Sequence, residues 1–422
     1  MHEHMNVEAA ERRAAITMQR FEELATISDE PDWLTRAYGR PALRHAQILV
    51  SEWMRAAGMT VSYDAVGNLC GRLEPQIGSG TVVFGGHLDT VRNAGKYDGT
   101  LGVLSGLAVA ELAVEEAWEL PFALEVVAFA DEESYRFPTM YLGSGVWTGH
   151  FDTNLLGALD AHGMTLESAI HEFGGHPEAL LSLPEPRRDV IAFVELHIEQ
   201  GPVLESADAA IGIVSAIAGA SQFSIDVLGM AGHAGTVPMA MRRDALVAAA
   251  ECVVAIRQIG VDTDGLVATV GSLDVTPNAK NVIPGSVTFT IDIRHFLDDV
   301  RVLAVEKILL AIAGAAEQSG VAIEVHPIPG GHSTPMDTGL IHELTEILQS
   351  QGIEPRLLAS GAGHDAVSVS AIAPVAMLFL RCEGGISHNP AESITKADTA
   401  VGIRVLAQLI TRLATRGRAN PT

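Results

Sequence analysis

The feature that most constrains this chain is a recurrence. Four short apolar runs are each followed, within a few residues, by histidine, aspartate or glutamate. Thr81–Phe84 (TVVF) leads into GGHLD and Phe122–Phe129 (FALEVVAF) into ADEES. Val190–Val194 (VIAFV) leads into ELHIEQG and Pro374–Leu380 (PVAMLFL) into RCEGGISHNP. The runs have strand length and no clean alternation, as expected of strands covered on both faces by helices. Segments with a helical pattern, such as Gly102–Glu116, lie between them. The expectation is an α/β domain, layered α/β/α around a mixed sheet. Its polar ligands would gather past the carboxyl ends of the strands, where open α/β sheets place their ligand crevices.

Residues 211–327 read differently. Gln222–Leu228 alternates, with Phe223, Ile225 and Val227 on one face, and a helix is expected from Arg242 to Ile259 with Ala245, Ala249, Cys252 and Ile256 on its buried side. Strands follow near Leu266–Leu273 and Val287–Arg294, then a helix carrying Val302, Val305, Leu309, Ile312 and Ala316 on one stripe, then a strand near Val321–His326. The order β-α-β-β-α-β is that of a ferredoxin-like α+β unit. The predicted organisation is a discontinuous first domain, 1–210 and 328–422, with 211–327 inserted as a second.

The residues past the strands form a set of nitrogen and oxygen donors: His87, Asp89 and Asp98, the Glu132–Glu133 pair, His197 and His388. Imidazole and carboxylate without thiolate suit Zn, Mn, Co or Ni and argue against a closed structural zinc. Two cations about 3.5–4 Å apart need a bridging carboxylate, and Asp98, in a glycine-flanked loop, is the candidate. Asp89 is expected behind His87, its carboxylate accepting the spare ring N–H. Adjacent glutamates allow one to bind metal while the other stays free as a general base.

Charge narrows the partners. With 27 Lys+Arg against 52 Asp+Glu, the net charge is −25. Nucleic acid and anionic membrane are disfavoured, because both are bound through lysine and arginine. No uninterrupted apolar stretch reaches the ~18 residues a membrane span needs, and no apolar signal core follows Met1, so a cytoplasmic location is expected. Cys70, Cys252 and Cys382 are odd in number and scattered, which suggests a reducing compartment rather than a disulfide framework. His2 and His4 read as solvated, and the tail after Ala414 as frayed.

GGHLDTV with DG, DEES, ELHIEQGPVLE, GHAGTVP, the N-x-x-P-G-x-V-x-F-x-x-D-x-R stretch ending at Arg294, SGAGHDA and GISHNPAE together resemble the M20-type metallo-amidohydrolases. More narrowly, they are similar to the branch of N-carbamoyl-L-amino-acid hydrolases, allantoate amidohydrolases and β-ureidopropionases. Two details point to that branch: the eleven-residue spacing of His87 and Asp98, and a histidine in ELHIEQG where the peptidases present a carboxylate. The resemblance implies two divalent cations per subunit, His87 and His197 on one, Glu133 and His388 on the other, Asp98 bridging, and Glu132 as base. It implies that His233, Asn281 and Arg294 meet the substrate, with Gln200 nearby, and that a homodimer forms through the inserted lid domain. Ser134 departs from it, since relatives commonly carry glycine after the glutamate pair.

The residues fit these roles on their own chemistry. Val287, Phe289, Ile291 and Ile293 share a face, which puts Arg294 and Asp292 on the other. Arg294 there could clamp a carboxylate or simply pair with Asp292. His233, in a strand-to-helix loop, could donate to a developing oxyanion. Gly361–Asp365, including Gly363, offers close backbone approach to a small ligand, with His364 and Asp365 behind it. The function expected is hydrolysis of the ureido C–N bond of a small carboxylate, allantoate or an N-carbamoyl-L-amino acid, releasing ammonia and carbon dioxide. The rivals are a dipeptidase or N-acyl deacylase with the same metals, and a homologue that binds ureido ligands without cleaving them.

Overall fold

The structure is a computed structural model that describes residues 7–75, 77–183 and 185–419; the expectation for His2 and His4 lies outside them. The chain divides into two compact units. The first comprises residues up to Ser215, Met336–Leu358 and His364 onwards; the second comprises Ala216–Pro335 and Ala359–Gly363.

The first unit is built on a large mixed sheet. Four strands form its parallel centre, in the order Ala123–Phe129, Thr81–His87, Val190–Ile198 and Val375–Leu380. Antiparallel strands flank them: Leu69–Leu73 and then Thr60–Tyr63 beyond the first, and Ile211–Ile217 beyond the last. Nearly every residue of the four central strands is buried, which explains why their sequences are apolar without alternation. The helix Thr100–Glu115 packs on three of them and is buried almost all round, so its sequence is apolar on every side. Helices Val7–Ala25 and Lys396–Ala419 pack against it and each other. The latter continues to Ala419, which corrects the reading of the tail after Ala414: the chain there stays helical.

Because the central strands are parallel, their carboxyl ends share one sheet edge. Two expected ligands sit within strands rather than past them. His87 is the last residue of its strand, and His197 lies inside Val190–Ile198, opposite Phe379. The third strand runs four residues longer than its apolar core suggests because its neighbour keeps pairing as far as Leu380.

The second unit has the element order β-α-β-β-α-β, with two short strands beside it. Its antiparallel sheet runs Ala322–Gly331, Gly219–Leu228, Ser286–His295, Val267–Thr276. Ile225, Val227, Val287, Phe289, Ile291 and Ile293 face the helices Ala245–Asp262 and Asp298–Ser319. The first helix buries Ala245, Ala249, Cys252 and Ile256; the second buries Ala304, Ile308 and Ile312 while Val302 is exposed. Of the expected stripe on the second helix, Ile312 and Ala316 are buried and Val305 and Leu309 pack partly buried against the core, whereas Val302 is exposed and Arg301 and Ala304 fill the contact at that end. The boundaries also differ from 210/211 and 327/328. Ile211–Ile217 pairs with Val375–Leu380, and 359–363 falls in the second unit.

Candidate metal centre

The first unit's carboxyl edge brings His87, Asp98, Glu132, Glu133, His197 and His388 together. Asp98 Oδ1 lies 3.6 Å from His87 Nε2 and 3.1 Å from His197 Nε2. Asp98 Oδ2 lies 3.4 Å from His388 Nε2, which is 3.5 Å from Glu133 Oε2. Bonds of 2.0–2.1 Å in a tetrahedral zinc-type sphere put neighbouring donors about 3.3 Å apart. The residues therefore fit two donor triads, His87–Asp98–His197 and Asp98–Glu133–His388, that share one carboxylate. Glu133 Oε1 is buried without a hydrogen-bond partner among the described residues, an arrangement that suits an oxygen reserved for a cation. Glu132 Oε2 stands 3.6 Å from His87 Nε2, beside the first triad. His388 is half exposed while the other donors are buried, so the centre opens to solvent on its side.

Both buried histidines have their second ring nitrogen engaged. His197 Nδ1 meets the Ile198 carbonyl at 2.9 Å. His87 Nδ1 meets the Asp89 carbonyl at 2.9 Å, whereas the Asp89 carboxylate is 3.9 Å away. This corrects the expected role of Asp89. The chain bends just past the strand so that the main-chain oxygen takes the ring N–H. The Asp89 carboxylate instead accepts the N–H of Glu133 at 3.1 Å and so orients the glutamate turn.

Local backbone conformations hold this edge in shape. Asp131, Ser134, Gln200 and His388 all have φ between 49° and 57°, the left-handed region costly for side chains other than glycine. Ser134 thus occupies a position where glycine is conformationally favoured, so the departure noted in the sequence carries a backbone cost.

The electrostatics are set by burial against pairing. Burial works to raise the Asp98 carboxyl, but hydrogen bonds with His197, His388 and His87 outweigh it and hold the group well below its usual range. Burial pushes the Glu132 carboxyl well up and Glu133 up to about 7. His388, bonded to Asp98, is raised to about 9. Burial alone would lower His87, yet Glu132, Asp98 and Asp89 raise it. So much convergent acid is what divalent cations neutralise.

Sequence reasoning missed several residues here. Glu392 accepts the backbone N–H groups of Tyr97 and Asp98 at 2.8 and 3.1 Å. The Ser387 hydroxyl donates to Asp98 Oδ2 at 2.6 Å, and Gln200 Nε2 donates to the same oxygen at 2.9 Å. Gln200, expected at the substrate, is therefore engaged with Asp98. Buried Glu195 shares the inner side of His197 with His364, whose ring centroid is 4.5 Å from that of His197. Ser387 and Glu392 lie in GISHNPAE, which was read only for its histidine, and Glu195 opens ELHIEQG, which was read only for His197 and Gln200.

The remaining expected residues lie in the second unit. His233 is exposed in the short strand Gly232–His233, which pairs with Val282–Ile283, and the Ala234 N–H donates to the Asn281 carbonyl at 3.0 Å. His233 and Asn281 are thus neighbours. His233 Nδ1 accepts the Gly235 N–H at 3.0 Å, so in the neutral ring the proton sits on Nε2. Arg294 forks onto Asp292 through Nε and Nη2 at 2.8 and 2.9 Å, and its Nη1 donates to the Gly361 carbonyl at 2.7 Å, two residues before Gly363.

The chain is also similar to known proteins. The family model described as peptidase family M20/M25/M40 matches residues 83–412. A probable allantoate deiminase from Oryza sativa subsp. japonica is 36% identical over 92% of this chain and 87% of its own length. An N-carbamoyl-L-amino acid amidohydrolase from Geobacillus stearothermophilus is 38% identical over 94% of this chain and 97% of its own length. A crystal structure of an amidase of the hydantoinase/carbamoylase family from Burkholderia multivorans superposes with a TM-score of 0.89 at 33% identity, covering 95% of this chain and 98% of that one.

Proposed function

The chain belongs to peptidase family M20/M25/M40, and from that premise we propose that it is a metal-dependent amidohydrolase cleaving the ureido C–N bond of a small carboxylate such as allantoate or an N-carbamoyl-L-amino acid. Relatives named for those two substrates, at 36% and 38% identity over most of the chain, support this substrate class. The observation that carries the proposal is Asp98, which offers one carboxylate oxygen to each of two donor triads. His87 and His197 would hold one cation, Glu133 and His388 the other, with Asp98 between.

When bound, the cations polarise the ureido carbonyl and bring the pKa of a water toward neutrality. Glu132, whose burial makes its carboxylate a better proton acceptor, takes the water proton on Oε2 and delivers it to the leaving nitrogen. The C–N bond breaks as the water oxygen bonds to carbon, so ammonia leaves and the remaining carbamate loses carbon dioxide. His233, with its proton on Nε2, serves as donor to the developing oxyanion. Arg294 and Asn281 hold the substrate carboxylate, so that orientation is fixed before chemistry. The second unit acts as the lid and as the surface of a homodimer. Val254, Val261 and Leu310, exposed on its helices, support the latter.

The test is an assay panel of allantoate, N-carbamoyl-L-amino acids, N-acyl-amino acids and dipeptides, run before and after chelation. Turnover of the ureido compounds, lost on chelation and restored by Mn, Co, Ni or Zn, is expected. Hydrolysis of dipeptides alone, or ureido turnover indifferent to chelation, would overturn the proposal.

A further inference from the structure

We infer that Glu392 is a positioning residue for Asp98, fixing the carboxylate that the two donor triads share. The inference rests on the proposed bridging role of Asp98 and extends it to a residue that binds neither cation.

Glu392 is only 4% exposed. Among the described residues it makes no ion pair with lysine or arginine. A buried carboxylate without a cation is costly unless its hydrogen bonds repay it, so those bonds indicate its role. Its Oε1 accepts the N–H groups of Tyr97 and Asp98 at 2.8 and 3.1 Å, fixing the peptide units on both sides of the Tyr97 Cα. Its Oε2 is 3.2 Å from the Ser387 hydroxyl, which lies 2.6 Å from Asp98 Oδ2. Ser387 has a single hydrogen for two carboxylates, and the shorter distance assigns it to Asp98. Glu392 therefore acts on Asp98 through the main chain, while Ser387 orients Oδ2.

The surroundings are shaped for this group. A Cβ on Gly95 would fall 2.3–2.4 Å from atoms of the Glu392 side chain, so only glycine leaves room for it there. Glu392 also lies on the segment that carries His388, and its own N–H donates to the Asn389 carbonyl at 3.0 Å. One side chain thereby fixes the position of a ligand to both triads relative to a ligand of the second. A bridging carboxylate has to present each oxygen within a few tenths of an ångström, and that placement is what residues behind metal ligands supply.

The experiment is calorimetric titration of chelator-stripped protein with Mn and Co, alongside thermal melts of the stripped protein and the visible spectrum of the Co-loaded form. Wild type, Asp98→Asn, Glu392→Ala, Glu392→Gln and Ser387→Ala are compared. Glu392→Gln keeps an acceptor for the two N–H groups, so it is expected to retain most of the affinity. Glu392→Ala is expected to weaken metal binding about 10- to 100-fold and to alter the Co spectrum. Ser387→Ala should weaken it by less. The inference is overturned if Glu392→Ala binds two ions with wild-type affinity and an unchanged spectrum while Asp98→Asn does not. It is also overturned if affinity loss across the variants merely follows the loss of melting temperature in the stripped protein. If wild type binds fewer than two ions, or Asp98→Asn changes nothing, the bridging role of Asp98 fails and takes the inference with it.

Discussion

A Cβ placed on Gly99 would stand 2.3 Å from His87 Nε2, the nitrogen that faces Asp98 Oδ1. Gly99 also has φ +62° and donates its N–H to His197 Nε2 at 3.3 Å. The residue after the shared carboxylate is thus tied to both histidines of the first triad, and no side chain fits there.

Gly99→Ala should therefore damage the first triad without unfolding the protein. The left-handed backbone and the close contact together should destabilise by about 1–3 kcal/mol. The stripped protein should keep its far-ultraviolet circular dichroism while metal affinity falls at least tenfold. Wild-type affinity in this variant would show that the His87 ring moves aside at no cost.

Glu132→Gln should lower kcat by about 10²–10⁴, the usual contribution of a general base. Glu132 belongs to neither donor triad, so bound metal, measured by elemental analysis, should stay at the wild-type level. Wild-type turnover by this variant would remove Glu132 from the chemistry.

Arg294→Ala should raise KM for carboxylate substrates about 10- to 150-fold, the equivalent of roughly 1.5–3 kcal/mol for a lost charge-assisted pair. Asp292 would also lose the fork that now binds it. Steady-state kinetics with an acid substrate and its amide analogue separate the two effects. Only the acid should suffer if Arg294 meets the carboxylate, and an equal loss for both would place the arginine elsewhere.

Acid should weaken the fold through Asp160 in a defined window. Its carboxyl accepts the N–H groups of Met164 and His162, each at 2.9 Å, and an N–H of Arg136 at 2.9 Å, in a buried corner of the first unit. The Met164 N–H, with His162 and Arg136, holds it at about 2 against an ordinary 3.8. A depressed folded-state pKa means the ionised form is favoured by folding. The stabilisation is complete above the unfolded value and is lost as pH falls through the folded one. The melting-temperature gap between wild type and Asp160→Asn, both stripped of metal, should be constant at neutral pH and shrink from pH ~4 towards 2. A gap unchanged across that range would contradict this.

The central strands were legible because burial on both faces leaves few residue types that can occupy them, and the parallel arrangement follows from helices lying between them. The donor set was legible for a related reason: imidazole and carboxylate placed at the ends of apolar runs have few other uses. The second helix of the inserted segment was misread at its start. It has apolar residues on more than one side, and only packing decides which face is covered: Val302 stays exposed while Ala304 is buried. Asp89 was given the wrong bond because a local bend chooses between a carbonyl and a carboxylate two atoms apart in reach.

The sequence alone determined which chemistry the chain can support, since the supply of imidazole, carboxylate and guanidinium groups is a property of side chains and survives any error in their placement. Tertiary structure alone decided which of Asp98's oxygens faces which histidines, that Gly99 lies against the His87 ring, and that Glu392, 294 residues away in the chain, holds its backbone. Those are relations between distant segments, fixed by where strands end and loops turn back, and no local pattern of residue types encodes a distance.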